Sequence, residues 1–417
     1  MSQNNLINRK KIINNNNVFC ICITSYYAIT VLNRVLLSLL QGSAILATTI
    51  RLVTYGLILL VLSRLIVDLR KAILFIILET IVGLAFILSV TMGNIGDTDW
   101  QTVYEQIATT YIPLSIAAYY ITDRKILMKY LYPVAIVSVP ILIAIAVLSY
   151  GSWDYSYDMS LGYVMAFSVL ILLAQFTVNS KIFSLALAGI LSAFILFVGS
   201  RGPFICVIAF IIIELLLSKR YSRKKKAGII IFICVCLGII LINFDKILMF
   251  IYKVSIDMGF DSRSILLLMQ GEAVSHDSGR NVLQEYYMEL IQRKPILGYG
   301  IMGEWISDGT YPHNIVLEFL LAFGYPIGVF FLVVLLFILV KAVRKKSDIY
   351  SNAIIILFVS YCMHLFVSST YLKVWQFFVC LALCLSNKKM VQQEEQMITE
   401  KENIELQKKR RRKIRVK

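Results

Sequence analysis

Charge is scarce in this chain. Only 16% of its 417 residues are Asp, Glu, Lys or Arg, against roughly 25% in an ordinary soluble domain. Disorder is excluded, because a disordered chain is rich in charge and poor in apolar residues. Histidine is scarcer still, with three in the whole sequence, His276, His313 and His364. No group of His, Cys and acidic residues has the spacing of a metal site. The eight cysteines all fall inside apolar runs, so no disulfide framework of a small secreted module is present. Cys20/Cys22 and Cys234/Cys236 read as packing residues, since each pair sits in continuous hydrophobic sequence. No repeat relates the two halves of the chain, which argues against a solenoid.

What the chain has in quantity is apolar surface. The hydrophobic set makes up 59% of the residues and mean hydropathy is +0.76, more than a soluble domain of this size hides from water. The fold class expected is all-α: a polytopic transmembrane helix bundle. A spanning helix needs about 20 mostly apolar residues. Twelve segments qualify, at about 18–40, 44–66, 72–92, 105–122, 131–150, 160–178, 182–199, 203–218, 227–244, 317–340, 351–369 and 371–387.

Net charge is +16, and its placement sets the expected sidedness. With an uncleaved first helix and an even number of spans, about 31 of the 41 Lys and Arg residues fall on one side. By the positive-inside rule that side is cytoplasmic, so both termini are expected inside and most of the net charge is accounted for. The chain then divides into a cytoplasmic N-terminal segment (1–17), nine spans (18–243), an extracytoplasmic loop (244–312), three spans (313–387) and a basic cytoplasmic tail (388–417). The Lys408–Lys413 basic run either touches anionic lipid or is a solvated tail that reinforces topology. Nucleic acid is not an expected partner; membrane lipid is.

The loop is the one large extramembrane segment, and long ordered loops are usually functional. The run Ile247–Tyr252 followed by Val254 and Ile256 reads as a helix lying along the membrane surface. Between Asp277 and Arg293, Val282, Leu283, Tyr286, Leu290 and Ile291 recur at helical spacing, stopped by Pro295. The loop is therefore expected to be partly helical and pressed on the bundle.

Chemistry-bearing residues gather on this outer side. Arg201 stands in Ser200-Arg201-Gly202-Pro203, a tight helix re-entry at the outer boundary. It is either an interfacial anchor or a functional cation. Arg280 opens the loop helix, where free backbone N–H groups and a guanidinium together suit a phosphate. His313 sits where the loop re-enters the bilayer, and an imidazole with an ordinary pKa near 6.5 takes a proton from a hydroxyl at neutral pH. Glu318, five residues on, is costly in lipid and so is either paired with an arginine or functional. Tyr299, Trp305 and Tyr311 either stack on sugar rings or form an interfacial aromatic belt. His364 lies inside an apolar span and reads as a packing residue, and His276 carries little.

Three signatures in order resemble the bacterial O-antigen ligase and O-antigen polymerase family. They are Gly199-Ser200-Arg201-Gly202-Pro203, then Ser278-Gly279-Arg280 leading to Pro295-Ile296-Leu297-Gly298-Tyr299-Gly300, then Pro312-His313-Asn314-Ile315-Val316-Leu317 running into Phe323-Gly324-Tyr325-Pro326-Ile327-Gly328. The resemblance covers about residues 195–330, and topology extends it to the whole chain. It implies that Arg201 and Arg280 hold the pyrophosphate of an undecaprenyl-diphosphate-linked oligosaccharide. His313 is then the catalytic base at the acceptor hydroxyl, with Arg280 beside it, and Tyr299 and Glu318 line the substrate. It implies no cofactor and no metal. The first expectation is a polymerase of lipid-linked repeat units that makes capsule, exopolysaccharide or O-antigen, working beside a flippase and a chain-length regulator of the same pathway. The second is a ligase that transfers a finished glycan once to another acceptor. The third is a transporter of polyprenyl-linked glycans, disfavoured because the ionisable residues gather at the outer face, Glu79 excepted.

Overall fold

The computed structural model describes residues 3–39, 44–91, 100–121, 123–150, 159–197, 201–217, 242–257, 280–303, 311–344, 351–366 and 368–386, with a few positions between 222 and 235. Every regular element among the described residues is helical. They are α1 (Gln3–Leu39), α2 (Ala44–Ile66), α3 (Leu69–Thr91), α4 (Trp100–Gln106), α5 (Ile112–Tyr119), α6 (Arg124–Tyr150), α7 (Met159–Asn179), α8 (Ile182–Phe197) and α9 (Arg201–Leu217). Then come α10 (Phe244–Asp257), α11 (Arg280–Arg293), α12 (Ile315–Arg344), α13 (Ser351–Leu357) and α14 (Trp375–Leu385). Five helices among the described residues are long and apolar enough to cross a membrane, and four shorter apolar helices accompany them. Their outward faces are covered with large apolar side chains, such as Leu59, Ile76, Leu84 and Phe183, as lipid-facing helices require. This is a multi-pass membrane protein.

Several expected spans take a different form. The segment at 105–122 is α4 and α5 joined by a π-helical turn, Ile107–Tyr111. The segment at 227–244 lies mostly outside the described residues. The one at 317–340 belongs to α12, which Gly324 divides with φ 71° and ψ 176°. The two arms fold back on each other: a Cβ on Gly328 would sit 2.7 Å from the Phe319 carbonyl oxygen. In a straight helix those two residues lie about 13 Å apart. Residues 315–323 thus form a half-helix that turns at Gly324 into the longer arm.

The last two expected spans, 351–369 and 371–387, are also shorter than read. Among the described residues their helical parts are 351–366 and Trp375–Leu385, about 24 Å and 16 Å long, against a hydrocarbon core of about 30 Å. The polar break Ser368-Ser369-Thr370, followed by the 3-10 turn Tyr371–Lys373, joins them within the bundle.

Contacts between helix ends fix which end is which. Asp123 N–H donates to Asn16 Oδ1 at 3.3 Å, and Arg124 donates to the Leu383 carbonyl and to Ser386 Oγ at 2.6 and 2.7 Å. Lys71 pairs with Asp68 at 3.4 Å and lies over the Tyr120 ring. Asn16, Asp123 and Ser386 therefore mark one end of the bundle. Trp375 begins α14 ten residues from Leu385, about 15 Å above that end. Its ring meets Tyr26 edge-on at 4.9 Å, and Tyr26 is likewise ten residues above Asn16 on α1. Two independent helices thus place the start of α14 about 15 Å from the Asn16 end. Further in, Tyr27, Ser138 and Ser168 form a buried hydrogen-bonded knot that ties α1, α6 and α7.

Candidate functional site

The far end of the bundle holds the loop. Tyr287, Leu290, Ile291, Tyr299, Leu320 and Leu321 form a small core of their own between α11 and α12. The Pro295–Gly300 segment docks on the break in α12 through three backbone bonds: Tyr299 N–H to Leu321 O (2.8 Å), Gly300 N–H to Ala322 O (2.8 Å) and Tyr325 N–H to Pro295 O (2.7 Å). Two of the sequence signatures thus meet in space. Gly298 (φ 66°) and Gly324 sit where the two backbones touch, and a Cβ on Gly298 would fall 2.5 Å from Leu321 O. Gly300 rests on Ser89 near the end of α3, opposite the Asn16 end.

The half-helix carries His313 at its start. Asn314 caps it, its Oδ1 accepting the Val316 N–H at 2.9 Å. His313 precedes the cap with φ 55°, a left-handed conformation in which His is several-fold enriched among non-glycine residues. Nine helical residues separate it from the Gly324 turn, so it lies about 13 Å from that turn, alongside the second arm. The Tyr311 ring leans on His313 with centroids 4.2 Å apart, and Lys373 Nζ stands 5.3 Å from the Tyr311 centroid. Glu318 is fully buried, and its Oε2 accepts the Tyr371 N–H at 3.2 Å. It anchors the turn that bears Lys373.

A second imidazole stands behind the first. His364 is buried, stacks face to face on Tyr163 at 3.4 Å, and is an electrostatic neighbour of His313. The turn bearing His364 packs on both α9 and α12. Tyr163 in turn presses its hydroxyl on Gly202, where a Cβ would collide with it. The chain of contacts therefore runs from His313 through His364 and Tyr163 to the backbone beside Arg201. α9 starts at Arg201 and α11 at Arg280; the side chains of both arginines lie outside the described residues, as do His276 and Trp305.

Of the sequence-derived residues, His313 and Glu318 both neighbour Tyr311, and the helix start bearing Arg201 is linked to His313 through His364 and Tyr163. Tyr299 is placed differently from a sugar contact. It is buried between α11 and α12, with Lys294 Nζ 4.4 Å from its ring centroid, which is an interhelical packing position. Tyr163, His364, Tyr371 and Lys373 join the site without having been read as functional. For Lys373 a signal existed, namely the polar break that interrupts an apolar stretch. For Tyr163 a single sequence holds none. No group of His, Cys, Asp and Glu among the described residues has metal-site geometry.

Burial, followed by the Glu318 carboxylate, raises the Tyr311 hydroxyl above its ordinary value of 10. Tyr311 therefore stays neutral next to His313. Its proton is held more tightly in the folded chain than in the unfolded one, so this contribution to stability is complete below pH 10 and is lost as pH rises past it. Tyr311→Phe is expected to flatten part of the fall in melting temperature as pH rises above 10. An unchanged slope would separate Tyr311 from alkaline unfolding.

The fold and the site define a multi-pass membrane protein with reactive groups collected at one end. Residues 186–332, about a third of the chain, match the family model described as O-Antigen ligase. The chain thus carries an O-antigen ligase family domain and is a membrane enzyme of the glycan ligase and polymerase type, which transfers lipid-linked glycan. All three sequence signatures fall within the match; Tyr163 and His364 fall outside it. Searches of curated proteins and of solved structures give no match.

Proposed function

We propose that the chain polymerises undecaprenyl-diphosphate-linked oligosaccharide repeat units into surface polysaccharide on the outer face of the cytoplasmic membrane. The observation that carries this reading is the run of contacts from His313 through His364 and Tyr163 to the Arg201 helix start, inside an O-antigen ligase family domain. In this reading the Asn16 end, where Lys71, Arg124 and Lys125 collect, faces the cytoplasm.

The chemistry is a substitution at the anomeric carbon. An acceptor hydroxyl attacks, a glycosidic bond forms, and the bond from the sugar to the diphosphate oxygen breaks. His313 takes the hydroxyl proton. Undecaprenyl diphosphate leaves as an anion, its growing charge met by the guanidinium groups of Arg201 and Arg280. Glu318 acts at one remove, by holding the Tyr371–Lys373 turn. A flippase supplying the repeat units and a chain-length regulator are the partners this activity calls for.

The test is the purified chain in liposomes, supplied with lipid-linked repeat units from its own cell, with products resolved on a gel. A ladder spaced by one repeat, lost in Arg280→Ala, is the expected result. A single transfer to an added acceptor would replace the polymerase reading by a ligase. Substrate that only changes leaflet would make the chain a transporter.

A further inference from the structure

Arg34 is the one charged residue in the apolar part of α1, which begins at Val18. An arginine at such a position is expensive in lipid and rare unless it faces protein or a water-filled cavity. Cys20, Ile23, Tyr27 and Val31 mark the inward face of α1, all of them buried. Arg34 continues that face at helical spacing, while Leu32 and Asn33 point outward. Its charge reaches Tyr361, a buried residue one turn before His364.

Axial register gives its height. Tyr27 is hydrogen-bonded to Ser168, so these two share a level. α1 and α7 run in opposite directions there. Arg34 lies seven residues beyond Tyr27, about 10 Å towards the His313 end, and Tyr163 lies five residues before Ser168, about 7 Å towards the same end. The Cα–Cβ bond of a helical residue tilts towards the helix N-terminus, which lowers the Arg34 guanidinium into the Tyr163–His364 layer. Arg34 therefore stands at the level of the Tyr163–His364 pair.

We propose that Arg34 is a third anion-binding residue of this site, contacting phosphoryl oxygens of the polyprenyl diphosphate donor from the bundle side. The assignment rests on the donor reading given above. It gives the diphosphate a cation on α1 in addition to those at the starts of α9 and α11. A guanidinium suits this position because it stays charged when partly desolvated and grips phosphate with two parallel hydrogen bonds.

The experiment uses the full chain in nanodiscs and measures equilibrium binding of undecaprenyl diphosphate and of uncharged undecaprenol. The wild type is expected to prefer the diphosphate. Arg34→Gln is expected to weaken diphosphate binding by about tenfold or more and leave undecaprenol binding unchanged, with Arg34→Lys in between. A wild type that binds both lipids alike overturns the donor reading and the Arg34 assignment with it. A wild type that discriminates, beside a folded Arg34→Gln that binds the diphosphate equally well, overturns the Arg34 assignment alone. Should Arg34→Gln not fold, the wild type is labelled with an undecaprenyl diphosphate carrying a diazirine next to the phosphate. Label in the α1 peptide around Arg34 supports the assignment, and its absence there overturns it.

Discussion

Replacing His313 by asparagine should lower the turnover of glycan transfer by about 10²–10⁴-fold, the usual worth of a general base. Donor affinity and thermal stability should stay near those of the wild type. Asparagine is the informative substitute because the residue sits at φ 55°, a conformation that asparagine tolerates and that costs most other residues roughly 1–2 kcal/mol. Alanine would mix that backbone cost with the loss of the imidazole. The split matters: His313 touches the acceptor in this mechanism and the arginines hold the donor, so turnover should fall while donor KM barely moves. Transfer retained within a few-fold in His313→Asn would remove His313 from the chemistry. The base would then have to be sought at His364 or elsewhere.

Gly324→Ala should be among the most damaging single-methyl additions in the chain. At φ 71° and ψ 176° the backbone occupies a region that is essentially glycine-only, and strain of this kind costs about 1–3 kcal/mol. A Cβ would also run into the Ile296 carbonyl, which cannot retreat because the neighbouring Pro295 carbonyl accepts the Tyr325 N–H. Together these should exceed about 3 kcal/mol and lower the melting temperature by about 3 °C or more. Gly189→Ala is the control. Nothing lies within 4 Å of its Cβ position, and alanine is the better helix former, so this variant should be as stable as the wild type or slightly more so. Equal melting temperatures for Gly324→Ala and the wild type would mean that the turn in α12 does not depend on glycine.

The sequence was informative about class, and much less so about the depth of individual segments. Apolar runs and the clustering of Lys and Arg are local or additive properties, so a multi-pass helical chain followed from them directly. His313 and Arg201 stood out in the sequence because histidine is rare here, with Pro312 just before it, and because Gly202-Pro203 follows the arginine. The division of α12 was written in Phe323-Gly324-Tyr325-Pro326, yet hydropathy alone reads Ile315–Val340 as one continuous span. Only the docking of Pro295–Gly300 reveals why that glycine must turn. The stacking of His364 on Tyr163 joins residues two hundred positions apart, and no periodicity reports such a pairing. Tyr299 misled for a related reason: an aromatic residue in a polar loop suits a sugar contact as well as it suits a helix interface.

The shortness of the last two helices has an energetic consequence for the whole reaction. Where α14 starts, about 15 Å from the Asn16 end, the polar backbone of the Ser368–Lys373 break stands at a level that apolar helices span elsewhere in the bundle. In the mechanism proposed above, the diphosphate would meet His313 beside these polar groups instead of in hydrocarbon. Placing a single charge at the centre of an intact bilayer costs at least about 2.5–3.5 kcal/mol, and a diphosphate carries more than one charge. In the proposed reaction, polar groups at this level would offset much of that cost.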